Sequence, residues 1–265
     1  MIMAFLIAAV IGLIAAVIGM GGGFLYVPTL TLVFGFDPKM AVGTSLAVMV
    51  FSSGTATLVY WRQKKVLVTL AALLVLPAML CSLLGSLVTI YFDAKILVIL
   101  FALVLILMSL QMLMPSLRLI PIIPSGPAIE MHIPGPGEHE RTVRIPSIHL
   151  VVWGAMGGLV SGITGTSGGA FFVPALVAVG IPVHFAVATS LLTIIPTSIT
   201  GAATHALLGH LSLPFLIAYG TGAAIGAYAG ASVAPRIPAD LISKVFGILL
   251  IGIALLMIQQ KVLGG

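Results

Sequence analysis

Gly19-Met20-Gly21-Gly22-Gly23-Phe24-Leu25-Tyr26-Val27-Pro28 decides how this chain is read, because it returns 146 positions later as Gly165-Thr166-Ser167-Gly168-Gly169-Ala170-Phe171-Phe172-Val173-Pro174. Both copies lie inside long apolar runs. There a glycine cluster weakens a helix and leaves backbone amides without an intrahelical partner. One such interruption carries little information. Two, each followed by aromatic residues and Val-Pro, describe a duplicated device built from helices broken at membrane depth.

The surrounding sequence supplies the membrane. Of 265 residues, 60% are hydrophobic and only 6% charged, with a mean hydropathy of +1.29. These values lie outside the soluble globular range. From Met1 to Phe36, and again between Arg144 and Arg236, there is no Asp, Glu, Lys or Arg. Spans of ~20 residues fit in both stretches. The runs are apolar on every face, which points to an all-α polytopic membrane protein and away from a β-barrel. A net charge of +5 does not indicate nucleic acid, because Arg62, Lys64, Lys65, Arg118, Arg141 and Arg144 sit between the apolar runs. That is the positive-inside pattern of cytoplasmic loops. The single cysteine, Cys81, lies in an apolar run and is read as packing. The first apolar segment lacks a basic leader region and runs straight into the glycines, so it is read as a retained membrane segment.

Organisation follows from the repeat. Met1 to Phe36 would be ~54 Å long as one helix, against a hydrocarbon core of ~30 Å. Two pieces separated at Gly19 to Gly23 use that length better. Helices are expected over Met40–Trp61, Val66–Phe92 and Ile96–Leu113. Pro115 to Pro146 is dense in proline and carries Glu130, Glu138, Glu140 and several arginines, so it reads as a soluble cytoplasmic connector. Beyond it, Ala186-Val187-Ala188-Thr189-Ser190-Leu191 matches Ala41-Val42-Gly43-Thr44-Ser45-Leu46 at an offset of 145, and the match continues to a last helix at Leu241–Gln260. The chain thus divides into a first repeat, 1–114, a connector, 115–146, and a second repeat, 147–265, each with a glycine-broken first helix and three transmembrane helices. Four crossings per repeat would leave the halves parallel, whereas three crossings and a re-entrant hairpin would invert them. Loop charges fit either, and the length of the first segment favours inversion.

An anion has physical reasons to sit at the breaks, where amides at a half-helix N-terminus and the helix dipole both favour negative charge. The candidate substrate-binding residues are therefore Gly21, Gly22 and Gly23 in the first copy and Thr166, Ser167, Gly168 and Gly169 in the second. The alternative is that the glycines serve close helix packing. Thr44-Ser45 and Thr189-Ser190 follow the broken units, where their hydroxyls would either cap the next helix or face a cavity. His205 lies in an apolar run with Thr193, Thr197 and Thr204, which makes it a candidate proton or substrate contact. Asp37, Asp93 and Asp240 all fall at turns, so a carboxylate relay or hard-cation cage lacks ligands. His132 and His139 beside Glu138 and Glu140 have no recognised metal spacing. No nucleophile, zinc-protease or phosphate-loop motif occurs, so neither catalytic residue nor cofactor is expected.

The segments Gly19-x-Gly21-Gly22-Gly23-x-x-x-Val27-Pro28-x-Leu30 and Ala41 to Leu46, with their copies at Gly165–Pro174 and Ala186–Leu191, resemble those of the TauE/SafE family of sulfite exporters and anion permeases. The resemblance covers nearly all of the chain outside the connector, and the second copy departs from the triple glycine at Ser167. It implies a permease or exporter of the bacterial inner membrane that moves sulfite or a related sulfur oxyanion or organosulfonate, its partners being that small anion and the lipid bilayer. A non-transporting membrane scaffold or assembly subunit, with the glycines serving packing alone, is the competing expectation.

The re-entrant arrangement places both termini in the periplasm. A reporter fused at Gly265 is expected to read out as periplasmic; a cytoplasmic readout would instead favour single crossings and parallel halves.

Overall fold

The computed structural model describes residues 1–114, 122–134, 140–166, 168–236, 238, 248, 251–256 and 258–259. Its helices are α1 (Ile2–Ile18), α2 (Gly23–Pro28, passing into a π turn at Thr29–Val33), α3 (Pro38–Arg62), α4 (Val68–Val88) and α5 (Ala94–Leu113). A hairpin of β1 (Ala128–Pro134) and β2 (Glu140–Pro146) leads to α6 (Ser147–Thr164), α7 (Gly169–Ala178), α8 (Val183–Leu207) and α9 (Leu213–Val233). The last helix expected from the sequence lies largely outside the described residues; within it, 248, 251–256 and 258 are helical. Five described helices, α3, α4, α6, α8 and α9, are long and apolar enough to cross a membrane. The chain is a mostly helical, polytopic membrane protein. Large apolar side chains such as Leu76, Leu80 and Ile217 remain exposed, as a lipid-facing surface requires.

Local chemistry sets the helix ends. Asp37 caps α3 by accepting the Lys39 amide at 2.9 Å, and Pro38 supplies the first helical φ. Helix α3 therefore begins six residues before Thr44, and neither Thr44 nor Ser45 is a cap. Likewise α8 begins at Val183, before Thr189 and Ser190. Helix α1 stops where Gly19 turns left-handed at φ 81°, its N–H closing on the Ala15 carbonyl at 2.9 Å. Helix α6 stops the same way at Gly165, with φ 68° and a bond of 2.8 Å to Ser161. Such a left-handed end favours glycine.

Backbone approaches fix the directions of the helices. A Cβ at Gly222, Gly226 or Gly230 of α9 would overlap the carbonyl of Phe5, Ala9 or Leu13 in turn, so α1 and α9 run side by side in the same direction. Gly154, Gly158 and Gly162 of α6 stand in the same relation to Leu74, Ala78 and Ser82 of α4. Small residues permit this intimacy, the usual way that membrane helices gain packing energy. Helices α3 and α8 run antiparallel, with Gly43 against His205 and Leu46 against Gly201. Downstream of each break the chain turns back. Tyr26 and Phe34 meet Tyr219 and Phe215 in descending order along α9, with ring centroids 5.7 and 5.1 Å apart. Helix α7 returns along α6, where Phe172 packs on Gly157 and His149 Nε2 lies 3.0 Å from the Ala175 carbonyl.

The stretch read as a soluble connector holds more structure than its proline content suggests. In the β1–β2 hairpin Ile129 pairs with Ile145 and Met131 with Val143, and both Val143 and Ile145 are buried against the helices. Arg144 pairs with Glu130 at 2.7 Å on the exposed face. His139 and Glu138 lie outside the described residues, and no cluster of three metal-ligating side chains occurs among the described ones.

Gly226→Leu is expected to lower thermal stability in detergent by about 1–3 kcal/mol, because the new side chain meets the Ala9 backbone. Gly54 has open space around its Cβ position, so Gly54→Ala should leave the melting temperature unchanged or raise it.

Candidate functional site

A helix that stops in the middle of a bundle leaves carbonyls that must find donors there. The Gly19 carbonyl takes its hydrogen bond from Ser190 of α8 at 2.9 Å, and the Gly165 carbonyl takes its own from Ser45 of α3 at 3.1 Å. The threonines next door also reach across, but as acceptors. Thr189 Oγ1 accepts the Leu67 amide and Thr44 Oγ1 accepts the Ser212 amide, both at 3.1 Å. The four hydroxyl residues of the two Thr-Ser pairs are thus fully buried, and each reaches across to the other half of the chain. Thr-Ser pairs serve as donors and acceptors for the opposite half rather than as caps.

The two breaks also touch. A Cβ at Gly169 would lie 2.8 Å from the Gly19 carbonyl oxygen and the Met20 Cα, so glycine at 169 is what lets the breaks meet. Gly22 has φ 95°, and its Cβ would sit 2.7 Å from the Tyr26 ring. Gly168 stands in the same way beneath Phe172. Gly21 offers its carbonyl to Ser52 at 3.1 Å, and Gly23 begins α2. Thr166 is buried with its hydroxyl 2.7 Å from that of Thr164, and Ser167 lies outside the described residues. Near this centre a cavity of about 10 Å³ opens between Val27, Thr31, Val42, Phe101 and Thr164. That is the room of a single water, so this space is closed to an oxyanion.

His205 has a counterpart that explains it. Its Nε2 lies 3.2 Å from the Gly162 carbonyl, and Tyr60, which it matches in sequence, donates to the Ala16 carbonyl at 3.0 Å. Each side chain ties the last turn before a break to the neighbouring long helix. The second nitrogen of His205, Nδ1, has no partner, and the ring of His210 is 5.7 Å away. His210, in the turn after α8, is held below the usual imidazole range by burial and by Lys39, with Asp37 opposing.

Sequence reasoning missed three kinds of residue here. Ser52 and Tyr60 hold the first break, and His149 joins the chain at Ile123 to α7 by accepting the Ile123 amide at Nδ1, 3.2 Å away. Ser53, Thr57 and Ser198 are buried hydroxyls without a hydrogen-bond partner. The repeat offset pairs Ser53 with Ser198, which was the available signal.

Long apolar helices around two touching, glycine-broken segments, with hydroxyl-rich and uncharged facing surfaces on α3 and α8, define a membrane transporter. The chain belongs to the family described as sulfite exporter TauE/SafE, whose model matches residues 4–257. It is 28% identical over 272 residues to the probable membrane transporter protein YunE of Bacillus subtilis, covering 98% of this chain and 99% of that one. A probable membrane transporter protein of Xylella fastidiosa is 28% identical over 267 residues, covering 95% and 92% of the two chains. Another from Methanocaldococcus jannaschii is 26% identical over 227 residues, covering 80% and 78%. As a member of a transporter family, the protein is not an enzyme.

Ser45→Ala and Ser190→Ala each strip the donor from a buried carbonyl, which is expected to cost about 1–3 kcal/mol in either variant. Similar losses of melting temperature in detergent would establish that the two bonds are equivalent; no loss in either would remove them as the clamps of the breaks.

Proposed function

We propose that this transporter carries sulfite or a related sulfur oxyanion or organosulfonate across the inner membrane by alternating access, with residues 1–114 and 147–265 acting as inverted repeats. The observation that carries the reading is the reciprocal bonding of the breaks: Ser45 to the Gly165 carbonyl and Ser190 to the Gly19 carbonyl. Two matching elements that hold each other across a common centre can exchange roles, which is what alternating access between inverted repeats demands. The antiparallel run of α3 and α8, which match in sequence, supports inversion. So does the return of the chain after each break, which makes each broken unit a hairpin.

In this reading the hairpin and the Arg62 to Lys65 loop face the cytoplasm and both termini face the periplasm. The Thr44–Ser212 bond then seals the periplasmic end and the Thr189–Leu67 bond the cytoplasmic end. Opening one end while keeping the other closed requires breaking one of these bonds and not its counterpart. The substrate class comes from the family description, and the uncharged interior is compatible with an anion held by dipoles.

Purified protein in phosphatidylethanolamine–phosphatidylglycerol vesicles is expected to take up labelled sulfite well above protein-free vesicles. Background uptake of sulfite and of other sulfur oxyanions would overturn the assignment of substrate.

A further inference from the structure

Three hydroxyls in the seam between α3 and α8 lack any hydrogen-bond partner: Ser53 and Thr57 on α3, and Ser198 on α8. Ser53 and Ser198 are 0% exposed and Thr57 is 6% exposed. The contacts already described mark the mating faces, Gly43 and Leu46 on α3 against Gly201 and His205 on α8. Ser53 stands two turns beyond Leu46 and Ser198 two turns before His205, so each lies on the face its helix presents to the other. The helices are antiparallel and each Cβ leans toward its own N-terminus, so the two serines lean toward a common level.

From Thr193 to Thr204 the threonines of α8 satisfy themselves. Thr193, Thr197 and Thr204 each donate to the carbonyl four residues back, at 3.0, 2.8 and 2.9 Å. Ser53, Thr57 and Ser198 forgo that bond. Leaving a buried hydroxyl unpaired disfavours the closed state, and alanine would pack in its place without that penalty. Two of the three occupy matching positions in the two halves. A shared, energetically unfavourable feature on both mating faces calls for something that these groups bind when the faces part.

We propose that Ser53, Thr57 and Ser198 donate hydrogen bonds to a monovalent oxyanion when α3 and α8 separate, so that the seam between these helices is the substrate site. This rests on the transport reading above and moves its centre from the glycine amides to the long helices. The charge follows from what the seam lacks. The charged side chains of α3, Lys39 and Arg62, stand at its two ends, and α8 has no lysine, arginine or carboxylate. The cost of taking an ion out of water rises as the square of its charge, and a seam of neutral donors offers no countercharge to offset it. A single negative charge spread over sulfonate or hydrogensulfite oxygens suits this site; sulfate does not.

The test uses the full-length protein in phosphatidylethanolamine–phosphatidylglycerol vesicles, with labelled sulfite uptake as readout and unlabelled methanesulfonate or sulfate as competitor. Ser53→Ala, Ser198→Ala and the double variant are compared with Thr193→Ala, whose hydroxyl is already bonded within α8. Methanesulfonate is expected to compete and sulfate not to. Uptake should fall at least tenfold in the double variant while its melting temperature in detergent holds or rises, and Thr193→Ala should transport normally. Wild-type uptake in the double variant, a loss that only follows a fall in melting temperature, or stronger competition by sulfate would each overturn the proposal while leaving the transport reading intact. A wild-type protein that moves no sulfite would overturn both.

Discussion

A carbonyl released from its helix inside a bilayer has no water to turn to, and much of this structure answers that single demand. Glycine at 19 and 165 ends a helix abruptly, and each end is quenched by a serine from the other half. The serines must then be held at the right height on α3 and α8. That requires long helices packed closely enough for a hydroxyl to reach across. The small-residue contacts between α1 and α9, and between α4 and α6, provide the close packing on the flanks. Apart from His149, His205 and Trp153, the polar side chains buried among the described residues are hydroxyls, which a low-dielectric interior tolerates when paired.

Much of this was legible because glycine clusters are so costly in apolar helices that their recurrence has few explanations. The break points and the matching Thr-Ser pairs all stood in the sequence. What the pairs do was not legible. Thr44 reads as a helix start only if Asp37-Pro38 is taken as a turn, yet Asp37 and Pro38 are themselves the cap and first residue of α3. The receiving carbonyls of Ser45 and Ser190 lie over a hundred positions away, and backbone acceptors leave no mark on composition. The hairpin at Ala128–Pro146 was hidden for a different reason: prolines at 134 and 146 bracket strands whose apolar residues alternate over only a few positions. The π turn at Thr29–Val33 has no sequence signature beyond the Pro28 that precedes it.

Ser53 and Ser198 show where local pattern and long-range repetition give different weights to the same residue. Taken alone, each is a small polar residue in a membrane helix, of a kind that usually bonds its own preceding turn. Taken as a pair at the repeat offset, they mark the middle of the two longest described helices. The tyrosine and histidine at 60 and 205 teach the complementary lesson. Different side chains at matching positions perform one task, tying a neighbouring carbonyl, so a titratable group is not in itself a proton carrier.

The exchange of partners between halves also governs how the molecule is made. While the first hundred or so residues emerge from the ribosome, α1 has no α9 to lie against and the Gly19 carbonyl has no Ser190. The early half must wait with its broken end unmatched until α8 and α9 arrive. The bonds that close the breaks can therefore form only once both halves are present. A chain interrupted after the hairpin would leave a half-molecule for membrane quality control to recognise by its exposed break.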